Sequence, residues 1–296
     1  MKHLYFEHKS LISDIEKYYI INGIKNDVRQ CGRSKLEFRS IDEQVCNTSA
    51  FSSLELSCGN STIHVDVNGK LKHLGEQNKK DPEFTFNVTV SPLVNYPPSE
   101  TEIEFLTKLL SSTYEKSEIY KQFIIAESYL LWNLLIDVII ISNDGNIFDL
   151  TFQTIYRALS ACVMPKINCE CKYKIQQDVL MNDNYVPIHI KSNYLSAKSV
   201  LHDFTLSQKN LDTWPIDTKS ALLCLTFNIV GELIIFDASL SEEICSIYRI
   251  FVVFEPSTMK IVSIRSFGVG SIATDVMVNI IKESKQYISR YVTTCN

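Results

Sequence analysis

The sequence has no apolar run long enough to cross a membrane. Its most apolar stretch, Leu130 to Ile141, is interrupted by Asn133 and Asp137 and falls well short of the roughly 20 residues that a spanning helix needs. The first residues, Met1-Lys2-His3-Leu4-Tyr5-Phe6-Glu7-His8, carry neither a long apolar stretch nor a cleavage signal. The nine cysteines follow no disulfide framework, so free thiols in a reducing, intracellular compartment are expected. In that setting the Asn-x-Ser/Thr triplets at Asn47, Asn60 and Asn87 are coincidental. The basic excess of a lone nucleic-acid binder is missing as well. A net charge of −5 confines any nucleic-acid contact to a local patch or to partner chains. There is no Walker-type loop, no His-Glu-x-x-His and no Gly-x-Ser-x-Gly. As raw chemistry, the sequence argues for no enzyme.

What is present is an ordinary globular composition over 296 residues, 45% hydrophobic and 21% charged, enough for one large domain or two small ones. Ser10 to Ile21 has helical apolar spacing, with Gly23 as a stop. Phe38–Cys46, Phe51–Ser57 and Thr62–Val67 read as strands, the last two joined by a turn at Cys58-Gly59-Asn60. Gly69 to Pro82 holds Lys70, Lys72, Lys79 and Lys80 and little to bury, so it reads as a mobile loop. Phe84–Val90 is another strand. Ser99 is a good N-cap for a helix through Leu110, with Glu100 and Glu102 in its first turn. Trp132–Ile141 reads as a strand buried on both faces, followed by a turn at Asn143-Asp144-Gly145-Asn146 and a helix over Ile147–Cys162. Residues 166–218 are polar and read as an irregular connection. Strands resume at Ala221–Val230, Glu232–Asp237, Ile247–Glu255 and Lys260–Ser266. A turn at Gly268-Val269-Gly270-Ser271 then opens a final helix to about Tyr291. The order is that of an α+β protein, or a mixed α/β one with helices packed on sheets.

Asp237, Glu242 and Glu243 are the obvious carboxylate cluster. Adjacent glutamates at a strand-to-helix junction read as a solvated helix start, where an acidic first turn is favourable anyway. Cys169-Glu170-Cys171 lacks the second ligand pair of a closed zinc site, and no metal or cofactor is expected. Gly268-Val269-Gly270-Ser271 lacks the third glycine of a dinucleotide fingerprint. The lysines between Gly69 and Pro82 read either as a solvated surface or as a phosphate-backbone contact.

Four stretches in order resemble the inactive RNase-PH-like exosome ring subunits, most closely the forty-two type of ribosomal RNA-processing protein. The first is Tyr19 to Arg39, with Gly23-Ile24, Asp27-Val28-Arg29, Gly32-Arg33 and Phe38-Arg39, and with Cys31 where the family has aspartate. The second is Asn47-Thr48-Ser49-Ala50 with Leu54 to Asp66. The third is Trp132 to Pro165, with Asp137, Asp144-Gly145-Asn146, Asp149 and Ala158-Leu159. The fourth is Asp237 to Ser246, continuing to Gly268-Val269-Gly270-Ser271. The resemblance implies an RNase PH-like fold of the ribosomal protein S5 domain 2 kind, with two βαβ-type halves. They fall as an N-terminal helix and extension over 1–28, domain 1 over 29–165, a connection over 166–218 and domain 2 over 219–296.

The resemblance also implies a hexameric ring of RNase PH-like subunits, topped by S1/KH cap subunits, with single-stranded RNA in its channel. The chain would serve 3′-to-5′ RNA processing and degradation, including rRNA maturation and mRNA turnover, in nucleus, nucleolus and cytoplasm. Active relatives hold phosphate with arginines. Here Ile147 and Phe148 stand after the Asp-Gly turn, Glu100 and Glu102 begin the helix after Pro98, and Ile247-Tyr248-Arg249-Ile250 replaces a second catalytic aspartate. A non-catalytic scaffold is therefore implied. The alternative is a phosphorolytic 3′-5′ exoribonuclease with a composite site shared with a partner. RNA-contact candidates are Arg33, Arg39, Lys70, Lys72, Lys79, Lys80 and Lys108.

Overall fold

The computed structural model describes residues 12–73, 81–126, 130–171, 201–206, 213–268 and individual positions between 278 and 292. The first helix, α1, runs Asp14–Lys25 behind a capping box in which Ser13 and Glu16 satisfy each other's backbone N–H. It continues through Gly23, which therefore does not stop it. Instead the Val28 N–H donates to Gly23 O at 2.8 Å, and a Cβ at position 23 would meet Val28 O at 2.6 Å. The strands β1 (Ile41–Val45), β2 (Ser52–Cys58) and β3 (Ser61–His73) form an antiparallel meander. β4 (Phe84–Val90) precedes α2 (Glu100–Tyr114), again started by a capping box, here between Ser99 and Glu102. A 310 turn over Glu118–Phe123 leads into β5 (Ile124–Ala126) and β6 (Leu130–Ser142). β6 lies antiparallel to β3 and parallel to β4, so β4–α2–β6 is a βαβ crossover.

The second half follows α3 (Ile147–Ala161) and β7 (Val163–Pro165). The connection expected to be irregular over 166–218 contains β8 (Ile167–Cys171) and β9 (Leu201–Leu206), paired with each other, and β10 (Thr213–Pro215), paired with β7. The polar average over the segment hid these strands, each only three to six residues long. A four-stranded antiparallel sheet, β12-β11-β13-β14, closes the chain. It is built from β11 (Leu223–Val230), β12 (Leu233–Ile235), β13 (Tyr248–Glu255) and β14 (Lys260–Gly268), with a short helix α4 (Leu240–Cys245) between β12 and β13. Of the Gly268-to-Ser271 turn, only Gly268 lies within the described residues. The described positions between 278 and 292 are helical, in keeping with the expected last helix.

Helix α3 lies between the sheets and contacts β2 and β3 on one side and β11 on the other. It is buried nearly all round through its first two turns, and its buried hydroxyls bond back along the helix, Thr151 to Ile147 O at 2.6 Å and Thr154 to Leu150 O at 2.7 Å. One core joins Leu54, Val65, Leu106, Ile136, Phe148 and Phe251 across both sheets. A second gathers Phe227, Phe236 and Phe254 with Ile288 and Tyr291 of the C-terminal helical positions.

Two expectations change with this placement. β6 is not buried on both faces: its burial alternates, and Ile141 is 36% exposed. One face of the first sheet packs on the helices, while the other stays open, as antiparallel pairing allows. Lys70 and Lys72 sit on β3, opposite Asn133 and Leu131 of β6, and not in a loop.

At Gly145, between β6 and α3, φ is +84°, and a Cβ would lie 2.5 Å from Ala238 O and 2.6 Å from Leu240 N. Two backbones touch there, tied by Leu240 N–H donating to Asp144 O at 3.1 Å. Gly145→Ala should cost more than about 2 kcal/mol of stability in denaturant unfolding. Gly231→Ala, at φ +64° with open space around it, should cost only about 1 kcal/mol. Equal losses would show that the backbone contact is unimportant.

Candidate functional site

The turn before α3 and the segment leading into α4 meet in a buried seam of arginines and carboxylates. Two of its residues have left-handed backbone, Asn146 at φ +58° and Asp237 at φ +44°. Asn and Asp tolerate that region better than other side chains. The twist aims both side chains at each other, and Asn146 Nδ2 donates to Asp237 Oδ1 at 2.9 Å.

Asp237, 1% exposed, is the hub. Its carboxylate accepts from Arg33 Nη1 at 2.7 Å, from the Arg39 backbone N–H at 2.7 Å, and from Arg39 Nη2 at 2.7 Å and Nε at 3.0 Å. Burial by itself would raise this carboxyl's pKa. The hydrogen bonds and charge of Arg39, joined by the charge of Arg33, hold it below the ordinary value instead. Arg39 also reaches Asp144 O at 3.2 Å and Gly145 O at 3.3 Å, so one guanidinium clamps both turns.

Arg29, 2% exposed, forms a two-pronged pair with Glu242: Nε to Oε1 at 2.8 Å and Nη2 to Oε2 at 2.6 Å. Its other donors reach Asp237 O at 2.8 Å, Phe236 O at 3.1 Å and Ser34 O at 3.3 Å. Burial raises the Glu242 carboxyl's pKa, and Arg29 more than reverses this. Glu242 also caps α4 through the Ser239 N–H at 2.9 Å. The two glutamates thus begin a helix, as the sequence indicated, but the helix start is buried and not solvated. Glu243 accepts from the Asn146 backbone N–H at 2.9 Å, and burial pushes its carboxyl above the usual range despite the nearby Arg249. Arg249 bonds Glu102 of α2, lies 3.6 Å from Glu243 Oε2, and rests over the rings of Phe267 and Phe148 at 5.2 and 5.8 Å.

Arg33 and Arg39, singled out from sequence for RNA contact, are thus bound to Asp237, with side chains 12% exposed. Lys72 pairs with Glu83 at 3.3 Å and Lys108 with Glu104 at 3.1 Å. Lys70 is exposed, and Lys79 and Lys80 lie outside the described residues. The sequence reading weighed Glu102 and the Ile247-Tyr248-Arg249-Ile250 segment only as replacements for phosphate-binding and catalytic groups, and named none of Arg29, Arg249 and Glu102 among the site residues. The available signal for Arg249 was a cation inside the apolar strand Tyr248-Arg249-Ile250-Phe251, a position rarely charged unless paired.

Among the described residues, the seam offers no free phosphate cradle. The guanidinium groups of Arg29, Arg33, Arg39 and Arg249 are each held by carboxylates of the same chain. What it does hold is a neutral-leaning acid. Asp149 in α3 is 1% exposed and accepts from Thr226 Oγ1 at 2.6 Å and Thr226 N at 3.1 Å. Burial lifts its pKa to about 7, outweighing the Thr226 bonds, with the Asp237 charge adding to the rise. A carboxyl raised on folding contributes stability that is whole below the ordinary carboxylate range and is lost as pH climbs through 7. The wild-type chain should therefore lose stability between about pH 4 and 7 with a slope approaching 1.4 kcal/mol per pH unit from this group. Asp149→Asn should flatten that window in thermal melts recorded across it. Parallel curves for the two proteins would contradict the assignment.

Residues 37–165 match the family model described as "3′ exoribonuclease family, domain 1". The exosome complex component Rrp42 of Methanothermobacter thermautotrophicus is 27% identical over 244 residues, covering 79% of this chain and 77% of that protein. A Dictyostelium discoideum protein bearing the exosome exonuclease RRP42 name is 19% identical and covers 93% of each chain. A chain of the Archaeoglobus fulgidus exosome, solved with RNA bound to its active site, superposes with a TM-score of 0.67 at 16% identity, covering 96% of this chain and 98% of that one. With a first domain matched over residues 37–165 and the fold of an exosome chain over nearly its whole length, this chain has the RNase PH-like fold and is similar to exosome complex components named Rrp42.

Proposed function

We propose that the chain is a non-catalytic structural subunit of an RNA exosome ring. It pairs with other RNase PH-like subunits in a six-membered assembly, beneath S1/KH cap subunits, and supports 3′-to-5′ RNA processing and degradation in nucleus, nucleolus and cytoplasm. The names of the relatives support the assembly. The observation that carries the absence of catalysis is the seam itself. Phosphorolysis needs cations that can bind phosphate as charge develops in the transition state, and here Arg29, Arg33, Arg39 and Arg249 are all engaged by Asp237, Glu242, Glu243 and Glu102. Releasing Arg29 would take from the buried Glu242 its two-pronged partner, and breaking a buried pair of this kind costs about 3–5 kcal/mol. Large apolar side chains exposed on α1, Ile15, Tyr18 and Tyr19 at 82, 71 and 69%, fit a chain that is covered in an assembly.

Single-stranded RNA incubated with the pure chain and inorganic phosphate should release no nucleoside diphosphate. The chain should be poorly soluble alone and well behaved when co-expressed with an RNase PH-like partner. Steady phosphorolysis by the pure chain would overturn the scaffold reading, and a monodisperse monomer that binds no ring subunit would overturn the assembly.

RNA contact in this reading falls to the lysines around the β3–β4 connection, Lys70, Lys72, Lys79 and Lys80, with Lys108 of α2 as the competing position. Backbone contact needs charge at the right place, not fixed geometry. A reconstituted ring with all four lysines changed to alanine should bind RNA more weakly, with a shallower dependence of affinity on salt. An unchanged affinity and salt slope would make them ordinary surface lysines.

A further inference from the structure

Outside the seam, on the open face of the first sheet, three residues of different chemistry converge. Cys46 follows β1 and keeps its pairing, its N–H donating to Ser53 O at 3.0 Å. Glu55 of β2 and His64 of β3 are direct cross-strand partners. Their neighbours Leu54, Leu56, Ile63 and Val65 point into the core, so the strand period places Glu55 and His64 together on the opposite face. One ligand atom from each of Cys46, Glu55 and His64 lies within 4.8 Å of the other two.

The two ring nitrogens of His64 have separate surroundings. Nδ1 faces Cys46 Sγ at 4.0 Å. Nε2 faces Asp66 Oδ2 at 3.3 Å, and Thr48 Oγ1 holds the other Asp66 oxygen at 3.5 Å. A metal-bound histidine commonly donates its second ring N–H to a carboxylate, which fixes the tautomer and the ring plane. The pattern here is of that kind: Nδ1 lies toward the Cys46 thiol, and Nε2 toward the Asp66 carboxylate, with the Ser53 hydroxyl at 3.5 Å. In a tetrahedral zinc site, the bond lengths place a sulfur and a nitrogen ligand about 3.6 Å apart. The observed 4.0 Å needs only a small closure.

We infer that Cys46, Glu55 and His64 form a binding site for a divalent cation of the zinc class, with Asp66 orienting His64. Sulfur, nitrogen and carboxylate oxygen together favour borderline-soft ions over magnesium or calcium, which take oxygen ligands. Three protein ligands leave a fourth position for water or for a group from a neighbouring chain. All four side chains are partly exposed, so the ion has access from solvent. The site would tie the chain just past the exposed edge strand β1 to β2 and β3.

The test uses the full-length, reduced chain and Co2+ as a spectroscopic probe, with zinc competition for affinity. One equivalent of Co2+ should produce a thiolate-to-cobalt charge-transfer band that zinc abolishes. Cys46→Ser should remove the band, and Cys31→Ser, at an exposed thiol, should leave it. His64→Gln and Glu55→Gln should weaken binding by at least tenfold. Asp66→Asn should keep the band while weakening binding about 10–100-fold, the usual effect of an outer partner. A band that survives Cys46→Ser, or one lost instead in a Cys169→Ser or Cys171→Ser chain, overturns the proposal. Circular dichroism checks folding. If Cys46→Ser does not fold, unchanged affinity in both Glu55→Gln and Asp66→Asn overturns it equally.

Discussion

The carboxylate of Asp237 is where the segment before β1, the start of α3 and the approach to α4 converge on one group. It receives Arg33 and Arg39 from the segment before β1, and Asn146 from the start of α3, while itself standing between β12 and α4. A lone carboxylate in so dry a place would be protonated or strongly destabilising. Surrounded by two guanidinium groups and an amide, it stays ionised and fixes the angle at which the β6–α3 turn reaches the second half. The close backbone approach at Gly145 and the left-handed twists at Asn146 and Asp237 follow from that arrangement: the donors must converge on one small group, and the backbone bends to let them.

Such a seam is a poor source of net stability. Apolar residues of similar volume would often do as well or better, because desolvation consumes much of the attraction between buried charges. Its value here lies in uniqueness. Arg29 alone donates to Glu242, Asp237, Phe236 and Ser34, and a shifted packing would leave several of these groups unpaired at once. The same commitment bears on function. On the proposed reading, these guanidinium groups serve buried carboxylates in place of an incoming phosphate, which favours a scaffold at this location.

The parts of the fold visible in the sequence were those governed by local rules. The Ser99 N-cap with Glu102, the alternating Phe84–Val90 strand and the Asp144-Gly145-Asn146 turn depend on neighbours in sequence, and the structure has each in place. What could not be read depends on partners far along the chain. Glu242 and Glu243 resemble a solvated helix start until Arg29, more than two hundred residues earlier, is brought beside them. Leu135, Asp137 and Ile139 lie in an apolar run, yet the open sheet face leaves them only partly covered, because strand identity does not reveal which face has a helix against it. The cluster of Cys46, Glu55 and His64 is scattered over three sequence segments and became visible only through strand register.

The charge balance of the seam also constrains how the chain can meet RNA on the proposed reading. Arg29, Arg33, Arg39 and Arg249 are matched by Asp237, Glu242, Glu243 and Glu102, so four cations and four anions are withdrawn together. These pairs cancel, so the rest of the sequence still carries a formal net charge of −5, buried Asp149 included. A surface of that sign repels a polyanion only within a screening distance of about 10 Å at moderate salt. Attraction must then be local, from cations such as Lys70 on an open strand end, or must come from neighbouring chains. On the proposed reading, such a subunit would contribute shape and contacts, while the field that draws in RNA would come largely from its neighbours.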